Sequence, residues 1–426
     1  MPERRIPPAP PGRRAVTLAR WLAIDAHEGP AVAAGFGLFF ALFAGYYALR
    51  PVRETLGIAA GVEHLQWLFT ATFVATLLAL PLFGWVAGRV PRRLILPVVY
   101  GFFAINLIGF ALALARAPDA IWLARGFYVW LSVFNLIAVS LAWSVLVDCF
   151  DRAQAARVFG LAAAGASVGG LVGPLVAVAL VGPFGHAGLL ALAALLLGAA
   201  IAAAGQVRRH GRRAADGAAR PLGGNPLVGV HEVLRSPYLR GIALFMVLLA
   251  SVSTFLYVEQ ARIVELRFPT REAQTRVFGV LDALVQILSV LLQVFVTGRV
   301  AQRLGLGVLL VFVPLLMVLG FLWLALAPGF AALAIVMIVR RAGEYGLIRP
   351  GREMLYAAVS DDAKYRAKNF NDTAVYRGAD ALSGWLKSGL DALGQHTALA
   401  MLAGAALATA WAATGAWLAR RQRALG

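Results

Sequence analysis

Two adjacent arginines, Arg340 and Arg341, interrupt the apolar stretch FAALAIVMIVRRAGEYGLIRPGREML, and Glu344 follows four and three residues later. That spacing puts the carboxyl on the same helix face as both guanidiniums. One carboxylate neutralises one arginine, so a cation is left over where charge is costly. The cluster reads either as a cationic lining for an anionic ligand, with Glu344 positioning an arginine, or as an internal ion pair that fixes helix packing. The motif Arg-Pro-x-Arg-Glu occurs twice, as Arg50, Pro51, Arg53, Glu54 in YYALRPVRETLG and as Arg349, Pro350, Arg352, Glu353 in EYGLIRPGREML. Guanidinium forks match the paired oxygens of phosphate and carboxylate, and proline ends or bends a helix and frees carbonyls. The competing reading is that these arginines snorkel to lipid headgroups. Tyr47, one turn before Arg50, joins the candidate lining.

Glu259, in STFLYVEQARIVE, is a further candidate: it could carry a coupling proton, pair with a cavity arginine, or face water. Asn135 and Asp282 are weaker candidates, and Asn135 also suits a hydrogen bond between helices. No His, Asp or Glu spacing suggests a metal site. No Ser–His–Asp or Cys–His arrangement suggests hydrolysis, and the Gly-rich FGLAAAGASVGGLVGP lacks the GKS/T of a phosphate loop. The expectation is therefore a protein that is not an enzyme, with no catalytic residue, no metal and no cofactor.

These residues sit in a chain whose solvent is mostly lipid. Its 426 residues are 60% hydrophobic and 14% charged, against roughly 25% charged in soluble domains, and its mean hydropathy is +0.76. Apolar runs of about twenty residues recur, each long enough to cross the hydrocarbon core as a helix; a barrel would show alternating segments of about ten. Spans are expected at 31–50, 65–88, 94–115, 120–147, 157–181, 187–206, 240–260, 276–298, 306–327, 330–348, 370–391 and 397–419. The fold class is all-α membrane protein, twelve transmembrane helices in two six-helix pseudo-repeats. The expected divisions are a cytoplasmic N-terminal segment (1–30), a first bundle (31–206), a basic cytoplasmic linker (207–239), a second bundle (240–419) and a cytoplasmic tail (420–426). No cleaved leader is expected, because no apolar run precedes a small-residue cleavage site. Cys149 is the lone cysteine, which excludes disulfides within the chain.

The net charge of +18 suggests nucleic acid only until the charges are placed. With both termini cytoplasmic, 27 of the 39 Lys and Arg residues fall in inside segments and eight outside. The remaining four, Arg340, Arg341, Arg377 and Lys387, lie within spans. The bias is the positive-inside pattern, so the excess charge reflects topology and no nucleic-acid partner is expected. The halves echo each other: GWVAGRVPRR begins at Gly84, closing the second span, and GRVAQRLGLG begins at Gly298, closing the eighth. Each has Gly followed by Arg five residues later. This is similar to the loop signature of the major facilitator superfamily, with Gly88 and Gln302 where an acidic residue is usual. Internal repeats in transporters place the substrate site at their interface near mid-membrane. In the fifth span Gly165, Gly169 and Gly173 stand four apart, which suits close helix packing.

Four segments carry a closer likeness: YYALRPVRETLG, FYVWLSVFNLIAVSLAWSVLVD, RVFGLAAAGASVGGLVGP and RAGEYGLIRPGREMLYAAVSDDAKYRAKNFNDTAVYRGADALSGW. They resemble the nucleotide transporter (ATP:ADP antiporter) family, including its shorter free-living-bacterial members, over about residues 30–420. The resemblance implies a twelve-helix major-facilitator relative in a cell inner membrane. It would move ATP/ADP or another phosphorylated anionic solute by alternating access. It further implies that basic residues at Arg53 and Arg352 and an acidic one at Glu259 serve transport. The family's first-half carboxylate has no counterpart in 129–134, which puts strict ATP/ADP exchange in doubt. Two alternatives stand beside this reading. One is a proton-coupled carrier of another anion, with Glu259 or Glu344 titrating; the other is a membrane sensor or binding protein that transports nothing.

Overall fold

The structure is a computed structural model that describes residues 28–150, 152–211, 229–393 and 397–425. Most of the expected N-terminal segment and the middle of the basic linker lie outside the described residues. Each apolar run forms a helix because lipid offers its backbone no hydrogen-bond partners. The first half comprises α1 (Gly29–Ala59), α2 (Leu65–Ala87), α3 (Ile95–Arg116), α4 (Ile121–Cys149) and α5 (Arg152–His210). The second half begins with a short α6 (Val230–Arg235), then α7 (Pro237–Arg267) and α8 (Arg271–Leu291). A π-helical turn (Leu292–Thr297) leads from α8 into α9 (Gly298–Arg303), followed by α10 (Gly305–Leu326). α11 (Phe330–Gly343) continues through a π turn (Glu344–Ile348) into α12 (Arg349–Leu355). α13 (Asp361–Phe370) continues through another (Asn371–Val375) into α14 (Tyr376–Ala392), and α15 (Thr397–Leu425) closes the chain.

The expected fifth and sixth spans form one helix broken at a single residue. Gly185 has φ +63°, a value that favours glycine, and divides α5 into two arms. The arms run antiparallel, since both ends of α5 return to the end of α4. Phe159 meets Trp143 edge-on at 5.7 Å, and Arg208 donates to the Arg92 carbonyl at 3.0 Å beside α4. Among the described residues nine helices are long and apolar enough to span a membrane. With α5 holding two spans and the interrupted α11–α12 and α13–α14 rods added, twelve membrane rods result. The chain is a multi-pass membrane protein, all-α, in two pseudo-symmetric halves. Its outer wall is lipid-facing: Leu78, Ile105 and Leu195 are about two-thirds or more exposed, as a side chain in hydrocarbon can be without cost.

Each half encloses its own apolar core. The first gathers Phe39, Tyr100, Phe127 and Leu141; the second gathers Phe245, Phe321, Met401 and Trp411. α1 and the first arm of α5 pack backbone to backbone. A Cβ on Gly169 would sit 2.5 Å from the Phe40 carbonyl oxygen, and one on Gly173 2.5 Å from that of Ala44. Gly165 faces Phe36 in the same way. The three glycines thus form the contact stripe itself, the close approach expected of small residues four apart.

The halves meet at one end. We call the end carrying the start of α1, the end of α5 and the start of α7 the linker end, and the other the far end. At the far end Thr55 Oγ1 and Thr275 Oγ1 are 2.7 Å apart, and His186 Nε2 lies 2.9 Å from the same Thr275. Tyr128 donates to Tyr257 at 3.0 Å. Arg271 pairs with Asp119 at 2.9 Å, and Trp67 meets Trp385 edge-on at 4.7 Å. Val258, Ala261, Val264 and Phe278 of the second half are buried in the first half's core there. The hydrogen bonds described within the linker end, such as Arg208 to Arg92 and Arg92 Nε to Asp148 at 2.8 Å, stay within one half.

Candidate functional site

Between the halves lies a cavity of about 640 Å³, walled by α1, α2, α4, α7 and the α11–α12 and α13–α14 rods. Tyr128 and Tyr257, the hydroxyl pair of the far-end seal, are part of its lining. The seal closes the cavity towards the far end and leaves it approached from the linker end.

Arginine dominates the wall. Arg50, Arg53, Arg340, Arg341, Arg349, Arg352 and Arg377 all line it, against the carboxylates Glu54, Glu344, Asp372 and Asp380. Seven cations face four anions on the wall and a fifth, Asp282, just behind it, which leaves two positive charges in a compartment surrounded by lipid-facing helices. Such charges persist inside a membrane only where a partner or a water-filled cavity receives them.

Most of the arginines have a carboxylate of their own. Arg340 Nη1 donates to Glu344 Oε2 at 3.0 Å and to Ser253 Oγ at 2.6 Å. Arg53 Nη1 reaches Glu54 at 3.2 Å, its Nε donates to the Tyr128 carbonyl, and its guanidinium lies 3.9 Å from the centre of the Tyr128 ring. Arg352 pairs with Asp372 at 3.2 Å and touches Met246 Sδ. Arg377 faces Asp380 at 3.5 Å. Arg341 pairs at 2.6 Å with Asp282, behind the wall, and Arg50 reaches the same Oδ1 at 3.8 Å. Arg349 stacks over Tyr345 at 4.5 Å. Arginine prefers such contacts because its planar, weakly hydrated cation lies well on aromatic faces.

All but two of the residues singled out in the sequence line this one cavity: Tyr47, Arg50, Arg53, Asn135, Arg340, Arg341, Glu344, Arg349 and Arg352. The two Arg-Pro-x-Arg-Glu motifs, which the span order sets towards opposite sides of the membrane, both contribute arginines here. They line the same chamber, Arg53 beside the Tyr128 seal and Arg352 beside Met246, nearer the start of α7. Asp282 lies behind the wall, paired with Arg341, and Glu259 is the other exception. It lies outside the lining, 3.7 Å from Arg262 and 4.0 Å from Lys387. Lys387, wholly buried, also bonds both oxygens of Asp391 at 2.6 and 2.7 Å. Arg262 bonds Asp391 at 2.8 Å. Two cations and two carboxylates thus tie α7 to α14 within the second half, so Glu259 belongs to a helix clamp. Its place near the outer end of a span carried no information about which way its side chain faces.

Several lining residues were not singled out. Asp372, Tyr376 and Asp380 stand four apart, a helix-face stripe that could have been read from NDTAVYRGAD, but the polar look of the segment hid it. Tyr46, Tyr128, Tyr257, Tyr345 and Tyr376 line the cavity with Tyr47. Tyrosines near helix ends read as an interfacial belt, and nothing in one sequence separates the two uses.

Solved structures of transporters share this architecture. A bacterial homologue of the human lysosomal transporter Spinster matches with a TM-score of 0.63 at 15% identity, covering 94% of this chain and 98% of that one. The nucleoside transporter NupG matches at 0.62 and 13% identity, covering 92% and 99%. The human organic anion transporter MFSD10 matches at 0.57 and 16% identity, covering 92% and 100%. At such identities the likeness is one of fold. No curated protein matches the sequence itself. The family model of the Major Facilitator Superfamily matches residues 31–366, and two six-rod halves facing each other across a central chamber are what that family needs for alternating access. The chain therefore belongs to the Major Facilitator Superfamily and is a membrane transporter, not an enzyme.

Proposed function

We propose that this protein carries an organic anion, held between the halves by Arg50, Arg53, Arg340, Arg341, Arg349 and Arg352. The observation that supports this reading is the excess of arginine: seven line the cavity wall against four carboxylates there and Asp282 behind it. An anion entering the chamber gains attraction from several guanidiniums already desolvated and ordered, and it supplies the counter-charge that the wall lacks. The halves then rock about the bound solute, opening the far-end seal and closing the linker end.

A narrower reading makes the solute a nucleotide such as ATP or ADP. The sequence resemblance supports it, and so does the set of six cavity tyrosines, whose rings suit stacking on a flat heterocycle. Proton coupling is the other refinement: Glu344 and Asp380 line the chamber beside arginines and could exchange a proton for the anion. In either case the two bundles are 31–206 and 240–419, joined by the basic 207–239 linker, in an inner membrane. Both termini and the linker end face the cytoplasm in this reading, which the distribution of Lys and Arg supports.

The test is uptake into proteoliposomes containing the purified protein, screened with ATP, ADP, other nucleotides, simple phosphate esters and carboxylates, with and without a pH step. Saturable flux of a subset of anions is expected. Flux of neutral solutes alone, or none of any kind, would refute the assignment. Flux that follows the pH step without a counter-anion would select the proton-coupled form.

A further inference from the structure

The positive charge of the cavity is not spread evenly. Arg53, Arg340, Arg352 and Arg377 each face a carboxylate of their own, Glu54, Glu344, Asp372 and Asp380. Arg50, from the first half, and Arg341, from the second, share one oxygen of Asp282. The surplus cations are therefore Arg349 and one of the Arg50–Arg341 pair. All three line the chamber with Tyr345, over whose ring Arg349 lies at 4.5 Å, and Tyr345 feels the charge of each.

Asp282 differs from the other counter-ions in position. Arg50 and Arg341 line the chamber, whereas Asp282 lies behind them, 3% exposed. Its bond to Arg341 is short, at 2.6 Å, and its contact with Arg50 is long, at 3.8 Å. The set is also incompletely bonded. Asp282 Oδ2 and Arg341 Nε and Nη2 are buried without a hydrogen-bond partner. A charged donor left so is costly, and an anion on the cavity side of Arg341 would relieve it.

We propose that Arg50, Arg341 and Arg349 form a subsite for a doubly charged anionic group, such as a phosphate monoester dianion. Asp282 is the counter-ion this group competes with, and it sets the charge the site selects. The inference rests on the anion-carrier reading and adds to it the charge class of the solute and a positioning residue. The ligand draws Arg50 from its long contact with Asp282 and leaves Asp282 to Arg341 alone. The same event replaces a first-half to second-half tie through Asp282 with one through the solute, so loading the site and joining the halves become one step.

Phenyl phosphate and phenyl sulfate test this. They share a shape, but at pH 8 the first carries two charges and the second one. Binding to the purified full-length protein is measured by calorimetry. Wild type should prefer the phosphate at least tenfold. Asp282→Asn adds one positive charge at the pair, which the dianion feels twice as strongly as the monoanion. The preference should therefore rise at least another tenfold. Asp282→Glu should keep the wild-type ratio. If Asp282→Asn does not fold, Asp282→Asn with Arg341→Gln restores the pair's net charge and should return the wild-type ratio, while Arg349→Gln should lower it at least tenfold. A ratio near one in wild type, or a ratio unmoved by Asp282→Asn and by Arg349→Gln, overturns the inference and leaves the anion-carrier reading standing. Binding of neither ester, nor of any anion in the uptake screen, overturns both.

Discussion

Arg352→Ala isolates what the cavity charge does. The side chain is 12% exposed and its partner Asp372 is 34% exposed, 3.2 Å away. Asp372 keeps its access to cavity water when its partner is lost, so no buried charge is stranded and the variant should fold and insert normally. Its effect on an anion is larger. A guanidinium about 6 Å from a unit negative charge, at an effective dielectric of about 20, attracts it by roughly 3 kcal/mol. Removing it also frees the Asp372 carboxylate to repel the solute. A loss of at least one hundredfold in apparent affinity follows for a monoanion, and more for a dianion. Arg352→Lys keeps the charge but loses the planar fork, and should cost about tenfold. The assay is counterflow of labelled solute in proteoliposomes at matched protein content, with the thermal unfolding of each variant measured in parallel. Wild-type affinity in Arg352→Ala would refute the charge argument. A melting temperature lowered by more than about 8 °C would show that the residue holds the fold instead.

Other perturbations separate site from scaffold. Glu259→Gln should keep anion affinity within about threefold of wild type, because Glu259 lies outside the cavity wall; calorimetric titration reads this directly. Lys387→Met leaves the Glu259 and Asp391 carboxylates with Arg262 as their one remaining cation, and should destabilise by about 3 kcal/mol, seen as a lowered unfolding temperature that Lys387→Met with Glu259→Gln partly restores. Gly169→Val drives a side chain into the Phe40 carbonyl and should cost about 1–3 kcal/mol, whereas Gly198→Ala, with nothing within 4 Å of the new carbon, should be neutral or slightly stabilising in the same melts. In a Cys149→Ala background, cysteines at Thr55 and Thr275 should form a disulfide across the far-end seal, abolish counterflow on oxidation, and recover it on reduction.

The membrane rods were legible because hydrocarbon makes one demand, a continuous apolar run, and the sequence meets it ten times over. The tenth rod was legible through its charges instead, since Arg340 and Arg341 break a run that is otherwise apolar, whereas the eleventh carries Asp372, Arg377, Asp380, Lys387 and Asp391 and reads as far more polar than a span in lipid. The glycine stripe at 165, 169 and 173 announced its packing by spacing alone. What stayed hidden was pairing across long stretches of chain. Nothing local to Asp282 says that it meets Arg341, 59 positions on, or that Arg50 leans on the same oxygen. Glu259 and Arg352 look alike as charges near span ends, yet one is turned into its own bundle and the other into the chamber. Which side of a rod a charge occupies depends on the rotation of the rod among its neighbours, and an apolar rod with a low moment leaves that rotation unmarked.

That rotation is fixed in the second half by the wide turn between α11 and α12. Its carbonyls are held from the neighbouring wide turn: Gln293 Nε2 donates to Tyr345 O at 3.2 Å and Thr297 Oγ1 to Gly346 O at 2.6 Å. A π turn accommodates one residue more than an α turn, so it advances the phase of all that follows by about 100°. Arg340 and Arg341 precede the turn; Arg349 and Arg352 follow it. All four reach one cavity wall only because this extra residue sits between them. The segment from Arg341 to Arg349 is therefore a ruler as well as a wall: losing one residue there would leave the composition of the site intact and swing Arg349 and Arg352 away from the solute.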